Sequence, residues 1–316
     1  MFTLFFTMGC FSSNSENNLI SALNNSGTNA AVLTINTGTT QHLHKQVYGF
    51  NTNQMNAEYT YTDPEFIELT SKLKPTILRF PGGTIANFYH WKISGFIEDE
   101  LSSTNSENLN RRNLRNYNRL RSRRNGKISF DEFMALCQKL KIKPVIVVNL
   151  YTGTPSESAD WVSYVKDKGY EVAGWELGNE FYWRTYRNKF PTVRDYIEVA
   201  KEHAAAMKAV DPNIKLAVVA SSVGFRQDIG KGQAQFEEVW NRQIARENFY
   251  DGYTIHLYTY SLNDDRPVPE NEAREFLFGS SDITFSNAIN YYENLFGNRE
   301  IWITEWNIAN PKLNMV

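Results

Sequence analysis

Gly174-Trp175-Glu176-Leu177-Gly178-Asn179-Glu180 is an apolar run that breaks off in an Asn-Glu pair. Reading outward, Val172–Leu177 has the length and make-up of a buried strand, flanked by helical patterns at Glu157–Lys168 and Val193–Val210. A short apolar run between two amphipathic helices is the repeating unit of a parallel sheet covered by helices. The pattern continues in both directions. Strands are predicted at Val47–Asn51, Thr76–Phe80 and Pro144–Asn149 before it, and at Lys215–Ala220, Tyr253–Tyr258 and Glu300–Thr304 after it. Further helices are predicted at Pro64–Leu73, Phe130–Leu140, Phe236–Arg246 and Ile283–Phe296. The chain has 316 residues, more than the ~250 of a (β/α)8 barrel. The expected fold is therefore α/β, a (β/α)8 TIM barrel with seven strands visible. Only 11 residues follow Glu305, too few for an eighth strand and helix. An open barrel leaves two unpaired edges, so the natural protein is expected to be longer, or this chain to be a fragment. Ala31–Asn36 alternates like a half-buried strand and suggests a small accessory strand near the N-terminus.

Ile301-Trp302-Ile303-Thr304-Glu305-Trp306-Asn307 repeats the form of the opening stretch, a strand ending in an acid. The fourth and seventh strands face each other across a barrel mouth, and barrels carry their chemistry at the C-terminal strand ends. Two carboxyl groups on either side of one bond are what glycoside hydrolysis needs: one protonates the leaving oxygen, the other attacks the anomeric carbon. Glu180 is thus the candidate acid/base and Glu305 the candidate nucleophile. Glu176 shares the Glu180 face by strand alternation, but four residues of rise put it ~13 Å deeper. It is expected to be a buried structural acid with a partner.

Other strand ends supply candidate substrate-binding residues. Arg79 closes the second strand, where a cation lowers and orients a neighbouring carboxylate. His256 and Tyr258 share a face of the sixth strand, and the tyrosine hydroxyl is placed to hold Glu305. Asn149 and Asn179 are candidates for sugar hydroxyls, Asn179 for the 2-hydroxyl. Trp183, Trp306, Tyr182 and Trp91 lie near the strand ends and are candidates for stacking on sugar rings. No cofactor or metal is expected. Asn125–Phe133 imitates the end of a calcium loop, but Arg121 and Arg123 occupy the positions that would have to be ligands.

These motifs resemble clan A of the glycoside hydrolases, and within it the family 51 α-L-arabinofuranosidases. The likeness runs over roughly residues 45 to 310. It includes Leu78-Arg79-Phe80-Pro81-Gly82-Gly83, Asp131-Glu132-Phe133, Trp161-Val162-Ser163-Tyr164, the Trp175–Glu180 stretch, His256-Leu257-Tyr258 and Thr304-Glu305-Trp306-Asn307. The heparanase and β-glucuronidase family and the family 39 xylosidases are neighbours by the same motifs. The resemblance implies a retaining enzyme with Glu180 as acid/base, Glu305 as nucleophile, and contacts at Arg79, Asn149, Asn179 and Tyr258. One departure stands out. Family 51 enzymes usually carry an arabinose-holding glutamate after the first barrel strand, whereas Gly49-Phe50-Asn51-Thr52-Asn53-Gln54-Met55 has no acid.

Composition sets the remaining expectations. Apolar residues at 41% and charged residues at 22% allow a sizeable core. A net charge of −2 gives the whole chain no bias toward nucleic acid, and the expected partner is an oligo- or polysaccharide. Leu4-Phe5-Phe6-Thr7-Met8-Gly9-Cys10 resembles the end of a bacterial lipoprotein signal, with Cys10 as a possible lipid anchor at the cell envelope. Residues 1–30 read as that segment plus a Ser- and Asn-rich tether, and residues 31–316 as the barrel domain. Between the second strand and its helix lies an insertion, about Ser94 to Gly126, with seven arginines from Arg111 to Arg124. As a loop on the active-site rim it suggests an anionic glycan; otherwise it is a solvated loop balanced by Glu98, Asp99 and Glu100. A truncated, non-catalytic carbohydrate-binding barrel is the rival from another class.

Overall fold

The computed structural model describes residues 48–55, 58–222, 231–259 and 286–308. Cys10, the tether and Ala31–Asn36 lie outside the described residues. Seven parallel strands form one sheet in chain order: β1 (Gly49–Asn51), β2 (Ile77–Phe80), β3 (Val145–Val147), β4 (Gly174–Glu176), β5 (Leu216–Val219), β6 (Gly252–Thr259) and β7 (Glu300–Ile308). Each pairs only with its sequence neighbours, the order that right-handed βα crossovers generate. The sheet curls into a nearly closed barrel. Between the edge strands, the Asn51 side-chain amide reaches across to donate to the Thr304 carbonyl at 3.2 Å. Among the described residues no eighth strand fills that side.

Helices cover the outside: α1 (Pro64–Leu73), α2 (Glu107–Arg124), α3 (Phe130–Leu140), α4 (Pro155–Asp167), α5 (Val193–Val210), α6 (Lys231–Ile244) and α7, helical over 286–296. Their starts follow from their first residues. Asp63, Ser129 and Thr154 accept hydrogen bonds from the first-turn amides of α1, α3 and α4, donors that otherwise lack partners. Thr192 and Asp195 close a capping box on α5. Trp161 on α4 is buried against Phe80, Phe130, Trp175 and the stacked ring of Trp91, cementing helices to strands.

The insertion after β2 differs from the expected loop. It opens with a two-stranded antiparallel pair, Tyr89–His90 with Gly95–Phe96, and then forms α2, an 18-residue helix. Ser106 caps its start and Asn125, at φ 52°, turns its end ahead of Gly126. Arginine is a good helix former, and two of the three buried residues of α2 are asparagines, Asn113 and Asn116. That polar underside concealed the helical period in the sequence; the caps were the legible signal.

Inside the barrel, Trp302 of β7 packs on Ile77 and Val145 and lies directly against Gly174. A Cβ on Gly174 would come within 2.0 Å of the indole, so the glycine makes room for the plug at the barrel base. Above that layer β7 breaks its alternation. The register pairs Ile255 with Ile303 but His256 with Glu305, a bulge that leaves Thr304 as the extra residue. In consequence Thr304 and Glu305, adjacent in sequence, both send side chains toward the strand-end network.

Candidate active site

Arg79 at the end of β2 is fully buried and is the hub of the site. All five N–H groups of its guanidinium donate to protein acceptors. Nε and Nη2 form a bidentate pair with Glu176 at 2.9 and 2.7 Å. Nη1 donates to Glu305 at 2.7 Å and Asn51 at 3.2 Å, and Nη2 also donates to Asn179 at 2.9 Å. Burial disfavours the cation, but the charges of Glu176 and Glu305 more than offset this and raise the Arg79 pKa. With every donor engaged on protein acceptors, Arg79 orients Glu176, Glu305, Asn51 and Asn179 and has no free N–H for the sugar contact expected of it.

Glu176 is fully buried and paired, as the reading of a structural acid required. Its depth does not follow the ~13 Å of strand rise, because one guanidinium touches both Glu176 and Glu305. The strand ends at Glu176. The chain then turns sharply through Gly178 at φ 93° and Glu180 at φ 51°, which brings Glu180 back over the same pocket. A left-handed non-glycine residue costs roughly 1–3 kcal/mol and is typical of sites where geometry is imposed by function. The Asn87 side chain clasps this turn, accepting from the Asn179 amide at 3.0 Å and donating to its carbonyl at 2.8 Å.

Glu305 is buried at 7% exposure, while Glu180 is half-buried. An oxygen of each and a nitrogen of His256 all lie within 4.8 Å of one another. That approach suits the ~5–5.5 Å spacing of carboxyl groups in retaining glycosidases and not the ~6.5–9.5 Å that leaves room for an attacking water. Three neighbours hold Glu305: Arg79, the Tyr258 hydroxyl donating at 2.6 Å, and His256 at 3.8 Å. Burial works to raise the Glu305 pKa, but the charges of His256 and Arg79 and the Tyr258 hydrogen bond hold it below the ordinary carboxylate value. Burial, then the charges of Glu305 and Glu180, push the Tyr258 phenol far up, so it stays a donor.

Glu180 meets different company. Its Oε1 lies 2.9 Å from His256 Nδ1 and accepts from the Tyr182 hydroxyl at 3.2 Å. His256 Nε2 faces the Thr304 hydroxyl at 3.2 Å. Burial lowers the imidazole pKa, yet the facing Glu305 and Glu180 raise it overall. One carboxylate is thus clamped as an anion by a buried arginine, and the other shares a hydrogen bond with a titratable ring. The Glu180, His256 and Glu305 atoms are also close enough to hold a cation, but Arg79 already sets a positive charge against Glu305 and would repel a second one.

The Asn179 Oδ1 is fixed by Arg79, and its buried Nδ2 has no hydrogen-bond partner in the protein. Asn149 does not point the same way: its Oδ1 accepts from the amides of Tyr151 and Thr152, and Nδ2 donates to the Thr152 hydroxyl. It braces its own loop, as short carboxamides do in turns. Trp183 and Trp306 are half-buried beside Glu180 and Glu305. Tyr182 is buried beneath Trp183, and the partly buried Trp91 stacks one face on Trp161. Several members escaped the sequence reading: Asn51, Asn87, Thr304, Ser222 behind Tyr182, and Gly83, where a Cβ would stand 4.0 Å from Glu305 Oε1. Only the Gly82-Gly83 pair signalled a close backbone approach.

A parallel barrel with two carboxylates converging at the ends of its fourth and seventh strands is the architecture of clan A of the glycoside hydrolases. Residues 69–260 match the family described as Alpha-L-arabinofuranosidase 1 domain, and the chain belongs to that family. Curated relatives include α-L-arabinofuranosidase C of Emericella nidulans, 24% identical over 297 residues, covering 87% of this chain and 56% of that protein. An intracellular exo-α-(1→5)-L-arabinofuranosidase of Streptomyces lividans is 26% identical and covers 69% of this chain and 33% of that protein. The chain spans little more than half the length of the Emericella enzyme. Among solved structures, the family 51 arabinofuranosidase of Xanthomonas axonopodis pv. citri superposes with a TM-score of 0.57 at 16% identity, over 84% of this chain and 57% of that one. The family 51 enzyme of Bifidobacterium longum does so at 0.51 and 18%, over 79% and 52%. Both share the fold.

Proposed function

We propose that the chain carries the catalytic barrel of a retaining, α-L-arabinofuranosidase-like glycosidase acting on terminal or short-chain glycosidic bonds. The observation that carries this is the approach of Glu180 and Glu305 to within 4.8 Å over one pocket. Glu305, kept anionic by Arg79 and Tyr258, attacks the anomeric carbon as the bond to the leaving oxygen breaks. Glu180 delivers a proton to that oxygen, and a glycosyl ester on Glu305 results. The half-buried Glu180 then takes a proton from an entering water, which attacks the same carbon and frees Glu305. The orphan Nδ2 of Asn179 is placed to hold a sugar hydroxyl through both steps.

The absent glutamate after β1 is filled by Asn51, Thr52, Asn53 and Gln54. Asn53 borders Gly83, whose Cβ position lies 3.5 Å from its Nδ2, so neutral amides replace an acid on that side. The roles are tested with aryl arabinofuranosides. Glu180→Ala should slow substrates with poor leaving groups and spare those with good ones, whereas Glu305→Ala should abolish both. Equal, mild losses in the two variants, or an inactive wild-type protein that still binds sugar, would replace the proposal with a non-catalytic barrel. The Cys10 motif supports a lipid-anchored, cell-envelope placement, to be checked by fatty-acid labelling of wild type against Cys10→Ala; equal labelling would remove it.

A further inference from the structure

The arginine insertion has no part in the chemistry above, yet it is built into the rim of the same pocket. Just before α2, the Asn105 amide donates to Thr185 O at 3.0 Å, and Ser103 O accepts from Asn188 and Tyr151, which lie in the loops after β4 and β3. At its far end Arg124 donates to Gln54 and Arg123 to Glu58, in the segment after β1. The helix therefore spans the C-terminal rim of the barrel from the β4 side to the β1 side.

Its 18 residues hold seven arginines and one glutamate, a charge of +6 on a chain of net −2. Arg111, Arg112, Arg115, Arg119 and Arg123 recur at three- and four-residue spacings and so share one face, and all five are exposed. Among the described residues no acid pairs with Arg112, Arg115 or Arg119; the ion pairs fall at the helix ends, on Glu107, Glu98 and Glu58. A column of unpaired guanidiniums self-repels and gives the fold nothing, whereas guanidinium binds carboxylate and sulfate in a matched fork. Successive turns repeat every ~5.4 Å, close to the length of one sugar in an extended chain.

We propose that the exposed face of α2 is a binding strip for an anionic polysaccharide, its guanidiniums engaging carboxylate or sulfate groups on successive sugars while the chain end enters the pocket. This rests on the proposed glycosidase only in naming the polymer the pocket would face.

The test is affinity electrophoresis of the full chain in gels containing polygalacturonate, dextran sulfate, neutral dextran or single-stranded DNA. Wild type should be retarded by polygalacturonate, dextran sulfate or both, less as salt rises, and not by dextran. The better of the two assigns the recognised group as carboxylate or sulfate. Arg112→Ala/Arg115→Ala/Arg119→Ala should weaken that retardation about tenfold or more with the melting temperature unchanged, and the triple Lys variant should keep most of it. Equal retardation of wild type and the Ala variant, equal retardation by dextran, or tighter binding to DNA than to either polysaccharide would overturn the strip. Because the readout is binding, failure to cleave arabinofuranosides sinks the catalytic proposal alone.

Discussion

Tyr258→Phe isolates the clamp on Glu305, the proposed nucleophile. The hydroxyl donates one 2.6 Å hydrogen bond to Glu305 Oε2 and leaves the ring, the β6 backbone and Arg79 in place when it is removed. A hydrogen bond to a charged, buried acceptor is worth about 1.5–3 kcal/mol, and each ~1.4 kcal/mol is a factor of ten. The variant should therefore lose about 10- to 150-fold in kcat/KM on an aryl arabinofuranoside. A second signature follows from charge. Tyr258 is one of the groups holding the Glu305 pKa down, and Glu305 works as the anion, so activity fails as pH falls through its pKa. Without the phenol that pKa rises, and the acid limb of the pH profile of kcat/KM should shift to higher pH. The assay is initial rates across the acid range for both proteins, with circular dichroism as a fold control. An unmoved acid limb together with a loss under threefold would refute the claim that Tyr258 tunes and holds the nucleophile.

Arg79→Met strands the fully buried Glu176 without its cation; breaking a buried pair in this way costs about 3–5 kcal/mol, to be read from urea unfolding, and a change under 1 kcal/mol would show the hub to be dispensable. His203 is buried against Ser158, and burial, followed by the charge of Lys189, pushes its pKa down to about 4. The unfolded imidazole titrates near ~6.5, so the fold favours the neutral ring. Its contribution is complete above that value and is lost as pH falls toward 4, of order 3 kcal/mol in all. His203→Gln should flatten the stability curve over that window, and a curve parallel to wild type would contradict the assignment.

The placement of the elements was legible because their signals are local. Val145–Val147 and Leu216–Val219 are short apolar runs bounded by breakers, and a run buried on both faces reads the same in a peptide as in a barrel. The two glutamates were legible because each follows an apolar run closely, Glu180 in the turn after β4 and Glu305 past the middle of β7. Helix α2 was not, because two of its three buried residues are asparagines and its few apolar positions against the core, Leu114, Tyr117 and Leu120, are thinly spread among arginines.

What the sequence determined by itself, then, was the parallel βα order, the approximate place of each strand, and the two glutamates as candidates. These depend on contacts within a few residues. The tertiary structure alone decided how the acids meet. Arg79 joins Asn51, Glu176, Asn179 and Glu305 across separations of up to 226 residues, and no spacing in the chain encodes that. The bulge that turns both Thr304 and Glu305 inward exists only because β6 pairs beside β7. The turn at Gly178 and Glu180 is held in its left-handed form by Asn87, which comes from a different loop. Strand rise sets depth only while the chain remains a strand, and where the chain left β4 was settled by what packs around it.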